Sequence, residues 1–238
     1  MSFDLGVAWF LVALTITGIV FYLSRVVRLG RAQFDRIDRA GGSILLNKEV
    51  MVMGYWWFEP LGKWLHNNGI SANAVSWSAF ACGVFAAISV SQGFFGLAGL
   101  FVLLSGLLDV VDGMVARFSN SSNPAGEVLD SSLDRYVDFF FLAGLVFYYQ
   151  QTSLLVGLVL FAMLGSFMIS YSTAKAEAMH ITPPRGAMKR SERIVYIIGA
   201  SILSPFSINY LESGWDYVQP LALPMLFSIS LIAVIANI

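Results

Sequence analysis

Only one cysteine, Cys82, occurs in the 238 residues, and it lies in an apolar stretch. That excludes a disulfide framework and a cysteine-based metal site. Charge is equally sparse. Asp, Glu, Lys and Arg together make up 12% of the chain, about half of what a soluble domain uses to cover its surface. No repeat at solenoid spacing and no low-complexity tract is present. The first apolar segment has no basic residues before it, which excludes the usual layout of a secretory signal peptide; Arg25 and Arg28 follow it instead. It reads as a retained anchor.

What the chain has in abundance is apolar sequence in long blocks. Hydrophobic residues make up 57% of it, the mean hydropathy is +0.72, and the blocks do not alternate with polar residues, as expected of helices that meet lipid. Seven candidate spanning helices follow, over 6–24, 74–92, 94–117, 127–149, 153–178, 193–208 and 217–237. The sixth is short and carries Pro205. The predicted class is an all-α integral membrane protein.

The basic residues set the expected orientation. All 14 Lys and Arg fall in 25–63, in 117–135, or between Lys175 and Arg193. The connections near Gly93, near Gln151 and over 208–216 carry none. The positive-inside rule puts the three basic regions in the cytoplasm and the N-terminus outside. The implied location is the cell's inner, cytoplasmic membrane. Between the first two spans lie Arg25, Arg28, Arg31, Arg36 and Arg39, then Tyr55, Trp56, Trp57, Phe58 and Trp64. Aromatic rings beside Lys63 suit the headgroup boundary, so 52–67 is predicted to be an interfacial amphipathic helix that anchors to anionic lipid.

The chemistry is concentrated between Asp109 and Asp138. Asp109 and Asp112 are three residues apart and share a helix face; Asp130 and Asp134 are four apart and share a face of the next helix. A connection with Ser, Asn and Pro124 makes the two helices antiparallel neighbours, so four carboxylates can converge near the cytoplasmic end. In apolar surroundings they repel unless cations neutralise them. Oxygen ligands without His or Cys select hard ions, hence Mg²⁺ or Mn²⁺. Gly113, Ala116 and Gly126 leave open surface where a flat base or a phosphate could approach the backbone. Arg117, two turns beyond Asp109, can reach a diphosphate as a planar fork.

This run resembles the CDP-alcohol phosphotransferase family. The family signature D-x2-D-G-x2-A-R-x8-G-x3-D-x3-D is matched at every fixed position from Asp109 to Asp134. Asn73-Ala74-Val75-Ser76 is similar to the family's Asn-x-x-Thr/Ser, with Ala72 where the family carries Pro. The resemblance implies a six-helix core over 72–238 and an N-terminal extension over 1–71 with one extra span and the interfacial helix. It also implies transfer of a phosphatidyl-type group from a CDP-linked lipid such as CDP-diacylglycerol to an alcohol, with release of CMP. Two Mg²⁺ or Mn²⁺ ions would be held by Asp109, Asp112, Asp130 and Asp134, and Asp134 would also act as the base. The CDP moiety would lie against Asn73, Asp109, Asp112, Gly113, Ala116, Arg117 and Gly126. Asp138, outside the signature, is expected to be a polar support residue. The family also implies a homodimer, and no nucleic-acid partner is expected.

A second cluster bears on the acceptor. Lys175 ends one helix, and Arg185, Lys189, Arg190 and Arg193 precede or open the next. Arg190-Ser191-Glu192-Arg193 resembles the Arg-Pro-Glu-Arg segment of prokaryotic phosphatidylinositol-phosphate synthases. Lys175, Arg185, Arg190 and Arg193 are therefore the candidate acceptor-binding residues, and a phosphorylated polyol such as inositol phosphate suits their charge. Glycerol 3-phosphate, the acceptor of a phosphatidylglycerophosphate synthase, would satisfy the same charges. Two readings from other classes remain. An intramembrane prenyltransferase carries its two acidic motifs on well-separated helix pairs, and a carboxylate-lined cation transporter places its acids near the bilayer midplane.

Cysteines introduced at Ser2 and at Ser121 should label from opposite sides of the membrane, Ser121 from the cytoplasm. Equal labelling of both from one side would overturn the orientation.

Overall fold

The computed structural model describes residues 2–30, 48–119, 124–181, 188–214 and 219–237. Among these, regular structure is entirely helical: α1 (Phe3–Leu29), α2 (Lys48–Asn67), α3 (Ala72–Ser91), α4 (Phe95–Phe118), α5 (Pro124–Tyr148), α6 (Ser153–Ala178), α7 (Arg190–Phe206), a π-helical turn (Ser207–Leu211) and α8 (Leu223–Ile235). Arg31, Arg36, Arg39 and Arg185 lie outside the described residues.

Among the described residues, five helices are long and apolar enough to cross a membrane: Phe3–Arg28, Ala72–Ser91, Phe95–Phe118, Ser153–Ala178 and Arg190–Leu211. Of the seven expected spans, five meet this criterion and two are of different character. α5 has the length, with 25 residues, but carries Glu127, Asp130, Asp134, Arg135 and Asp138 between its first turn and just past its midpoint. α8 has 13 residues, about 20 Å at the helical rise, against ~30 Å of hydrocarbon. It starts six residues later than predicted because Ala222 takes a left-handed conformation (φ 50°) and Pro224 follows in the first turn. The helix expected over 52–67 is present and begins four residues before its predicted start.

α4 is the hub: α1, α2, α3 and α7 all pack against it. α3 packs closely on both α4 and α5, and small residues permit this. A Cβ on Gly144 of α5 would lie 2.5 Å from the Ala87 carbonyl of α3, and one on Gly83 would lie 2.8 Å from Val137. Neither contact is sterically possible, so only glycine allows α3 and α5 to cross this closely. Buried Ser105 donates to the Ala79 carbonyl at 2.8 Å and ties α4 to α3.

At the end of the bundle away from Lys and Arg, buried acids cap helices. Asp4 of α1 is 8% exposed and accepts hydrogen bonds from Gly96 N (3.1 Å) and Leu97 N (2.9 Å) at the start of α4. These amides have no partner within the helix, and the positive end of the helix dipole favours a carboxylate there. A Cβ at Gly96 would sit 2.5 Å from the Asp4 carbonyl, which reserves the position for glycine. Glu212 plays the same part for α8, accepting from Leu221 N, Ala222 N and Leu223 N at 2.6, 3.1 and 3.1 Å. Fully buried Tyr149 closes the core beside it, donating to the Leu221 carbonyl at 2.7 Å.

α2 is docked on two sides. Phe58 and Leu65 pack with Val75, Val111 and Val115, and Gly62 lies against Met114 of α4. On the other side Trp56 and Trp57 meet Phe21 of α1 at 6.0 and 5.6 Å between ring centroids. Arg25 lies 5.0 Å over the Trp56 ring.

Asp4→Ala is expected to lower the stability of the detergent-solubilised protein by about 1–2 kcal/mol, the usual loss for a cap, read by thermal unfolding. Asp4→Asn, which keeps one acceptor, should lose less. Equal stability of Asp4→Ala and wild type would show that the cap does not hold α1 on the core.

Candidate active site

The acids sit where their helices reach the basic end of the bundle. Asp109, Asp130 and Asp134 each offer a carboxylate oxygen, and the three oxygens lie within 4.8 Å of one another. Asp112 stands apart from this trio. It is 6% exposed, and its Oδ2 accepts a 2.6 Å hydrogen bond from Ser76 Oγ of α3. The expected convergence of four carboxylates is therefore three together and a fourth set deeper, still close enough to feel the charges of Asp109 and Asp130.

The two acidic helices are held differently from the expected antiparallel pair. Close packing joins α3 to α4 and α3 to α5, and α4 with α5 is not among the closely packed pairs. Carboxylates facing each other across a gap repel, and α3 supplies the bracing that direct contact would otherwise give. The gap is a cavity of about 40 Å³ whose lining includes Ser76, Asp109, Asp112, Asp130, Asp134 and Arg190. It has room for about three water-sized species.

Among the described residues, one cation reaches into this cluster. Arg190, the first residue of α7, places Nη1 2.6 Å from Asp134 Oδ2 and 3.5 Å from Asp109 Oδ1. Its Nε lies 3.6 Å from Asp138 Oδ1. Asp138 Oδ2 lies in turn 3.6 Å from Arg193 Nη2. One carboxylate thus bridges two guanidinium groups, and Asp138 is more than the polar support expected of it. Arg193 is 3% exposed and stands behind Arg190 rather than at an open entrance, so of the two only Arg190 meets the cavity. With all five carboxylates ionised, two arginines leave a surplus of negative charge, which is what a site for divalent cations requires. The residues fit hard metal ions: the donors are oxygens throughout, and the trio is close enough to share one ion.

The remaining predicted residues occupy the same end of the bundle. Lys175 is exposed in the last turn of α6, and Asn73 is exposed in the first turn of α3. Arg117 is exposed near the end of α4 and folds back over Gly113, where an added Cβ would lie 3.2 Å from its Nη1. The surface over Gly113 is therefore partly covered by Arg117 itself. Ala116 and Gly126 are half-buried. Three features escaped the sequence reading: the Ser76–Asp112 bond, the Asp138 bridge, and the approach of Tyr55 to Arg117, at 3.5 Å between Oη and Nη2. The serine that ends Asn73-x-x-Ser76 was the available signal for the first. Nothing local marked the other two.

A family profile described as CDP-alcohol phosphatidyltransferase matches residues 69–232. The bifunctional IPC transferase and DIPP synthase of Archaeoglobus fulgidus is 32% identical over 180 residues, which is 71% of this chain and 35% of that protein. The phosphatidylinositol phosphate synthase of Mycobacteroides abscessus is 33% identical over 150 residues, 61% of this chain and 68% of that one. The archaetidylinositol phosphate synthase of Aeropyrum pernix is 38% identical over 115 residues, 46% of this chain and 55% of that one. The chain thus spans between about a third and two thirds of the length of these relatives. Among solved structures, the Mycobacterium tuberculosis phosphatidylinositol phosphate synthase with CDP-DAG bound superposes with a TM-score of 0.63 at 24% identity, covering 75% of this chain and 86% of that one. The same enzyme in complex with manganese and citrate gives 0.64, covering 75% and 83%. At this identity the likeness is one of fold.

Asp138→Ala should destabilise the protein by about 3 kcal/mol or more, because it leaves the buried Arg193 without its counter-ion. Asp138→Ala combined with Arg193→Met should recover most of that loss in a thermal unfolding assay. Undiminished stability of the single variant would show that the bridge is not a structural pair.

Proposed function

The chain belongs to the CDP-alcohol phosphatidyltransferase family, and from this premise we propose that it transfers a phosphatidyl-type group from a CDP-linked lipid, CDP-diacylglycerol, to an alcohol and releases CMP. The observation that carries the reading is the cluster of Asp109, Asp130 and Asp134 within 4.8 Å, drawn from both halves of an eight-position signature. A prenyltransferase or a cation transporter has no use for that signature, and neither releases CMP.

Asp109, Asp112, Asp130 and Asp134 would hold two divalent ions, Mg²⁺ or Mn²⁺. When bound, these supply Lewis-acid polarisation of the donor diphosphate. The protein's own groups do the rest. Asp134 takes the proton of the acceptor hydroxyl. Its Oδ2 is engaged by Arg190 at 2.6 Å, which fixes the carboxylate's orientation. The hydroxyl oxygen then bonds to the β-phosphorus as the bridging P–O bond breaks, and CMP leaves. Arg117 offers its fork to the diphosphate, and Asn73, Gly113, Ala116 and Gly126 border the nucleotide.

For the acceptor we favour a phosphorylated polyol, inositol 1-phosphate ahead of glycerol 3-phosphate. Lys175, Arg190 and Arg185 would meet the phosphate, with Arg193 acting from behind through Asp138. Relatives named phosphatidylinositol phosphate synthase and archaetidylinositol phosphate synthase support this choice. The same reading takes 1–71 as an extension to a core over 72–238. It puts the site on the cytoplasmic face of the inner membrane and the working enzyme as a homodimer, which light scattering in detergent would test.

The deciding assay is CMP release from CDP-diacylglycerol with Mn²⁺ or Mg²⁺ across a panel of phosphorylated and free alcohols. Asp109→Asn, Asp112→Asn, Asp130→Asn and Asp134→Asn should each be inactive yet folded. Arg190→Ala should raise the acceptor KM by roughly one to two orders of magnitude, from the loss of a charge-assisted hydrogen bond, with the donor KM hardly changed. Preference for free inositol, serine or choline would overturn the phosphate pocket while leaving the reaction class intact. Near-normal turnover by Asp130→Asn at limiting metal would remove the two-metal site.

A further inference from the structure

We infer that Tyr55, on the interfacial helix α2 and outside the segment that matches the family, is a positioning residue for the donor: it holds the Arg117 guanidinium in the orientation that receives the diphosphate. The inference rests on the reading that Arg117 binds that diphosphate.

Arginine near an exposed helix end has many rotamers, and binding a ligand requires one to be selected. Here the guanidinium is bracketed. On one side, one turn back along α4, Gly113 has no side chain, so Nη1 can lie where a Cβ would be only 3.2 Å away. On the other side, Arg117 Nη2 donates toward Tyr55 Oη at 3.5 Å, and the guanidinium carbon lies 5.9 Å from the centre of the Tyr55 ring. The second distance is at the outer range of a cation held by an aromatic ring, and the first is a long hydrogen bond to its hydroxyl. The glycine of Asp112-Gly113 thereby acquires a second physical reason, as the flat bed for the arginine four residues later.

A bracket is useful only if its far side is fixed, and α2 is fixed. Phe58, one turn beyond Tyr55, packs with Val111 and Val115 of α4. Gly62, one turn further, would place a Cβ 3.1 Å from Met114. The opposite side of α2 is held by Phe21 and Arg25 of α1 through Trp56 and Trp57. The extra N-terminal helix therefore steadies α2, α2 carries Tyr55, and Tyr55 steadies Arg117. An element that lipid anchoring alone would explain becomes one wall of the donor site.

The test uses full-length protein in detergent micelles with CDP-diacylglycerol, Mn²⁺ and saturating acceptor. Tyr55→Leu keeps apolar bulk on α2 and removes the ring face and hydroxyl. It should raise the donor KM roughly two- to fivefold, the range of an exposed cation–π contact, with kcat and acceptor KM unchanged. Tyr55→Phe should retain most of the effect of the ring. In an Arg117→Ala background, Tyr55→Leu should add nothing further. Trp64→Ala, which removes an exposed interfacial ring at 58% exposure, should leave the donor KM as it is. A wild-type donor KM for Tyr55→Leu, alongside a raised one for Arg117→Ala, overturns the inference and spares the donor site. An undiminished Tyr55→Leu effect without Arg117 overturns it too, because the tyrosine then acts through α2 alone. A wild-type donor KM for Arg117→Ala removes the diphosphate role of Arg117 and the inference with it.

Discussion

Carboxylates crowded into a region of low dielectric repel one another, and much of this fold serves to hold them in place. Asp109, Asp130 and Asp134 cannot rely on direct packing of their own helices, since α4 and α5 are not a closely packed pair. The bracing comes from a third helix. α3 crosses α5 at Gly144 and Gly83 with backbone almost in contact, and it reaches α4 through the Ser105–Ala79 and Ser76–Asp112 bonds. In a membrane the hydrophobic effect does not drive helices together, so close small-residue packing and buried hydrogen bonds carry the assembly. Those are the devices found beside the acids.

The charge surplus is balanced in layers. Arg190 engages Asp134 and approaches Asp109, and Asp138 holds Arg190 and Arg193 from behind. A buried guanidinium without an anion is costly, and so is a carboxylate cluster without a cation. Each group in the series answers the one before it. The arrangement also gives Arg190 two directions in which to pair, toward the cluster or toward Asp138. A divalent ion or an anionic substrate can then enter without leaving the guanidinium alone.

The opposite end of the molecule uses acid for another purpose. Asp4 and Glu212 are buried singly, each against free backbone amides at a helix start. There they join elements, α1 to α4 and the turn after α7 to α8. Acids within one chain thus separate into two physical roles. Where amide donors surround the carboxylate it caps a helix, and where other carboxylates surround it the site calls for cations.

The all-helical class, the approximate ends of α3 to α7, the helix that became α2 and the identity of the acidic residues were legible in the sequence. Each depends on spacing along a single helix or on composition: apolar blocks of span length, aromatic rings near Lys63, and acids three and four residues apart. The length of α8 was not legible, because a left-handed Ala222 and the reach of Glu212 set its start. The sequence alone determined which side chains share a helix face, since helical periodicity is local. Only the tertiary structure decided which faces meet. Ser76 lies 36 residues from Asp112, Asp134 lies 56 from Arg190, and Asp4 lies 92 from Gly96. The sinking of Asp112 behind the trio, the retreat of Arg193 from the surface and the approach of Tyr55 to Arg117 follow from how separate helices cross. No periodicity within one helix encodes the crossing of two.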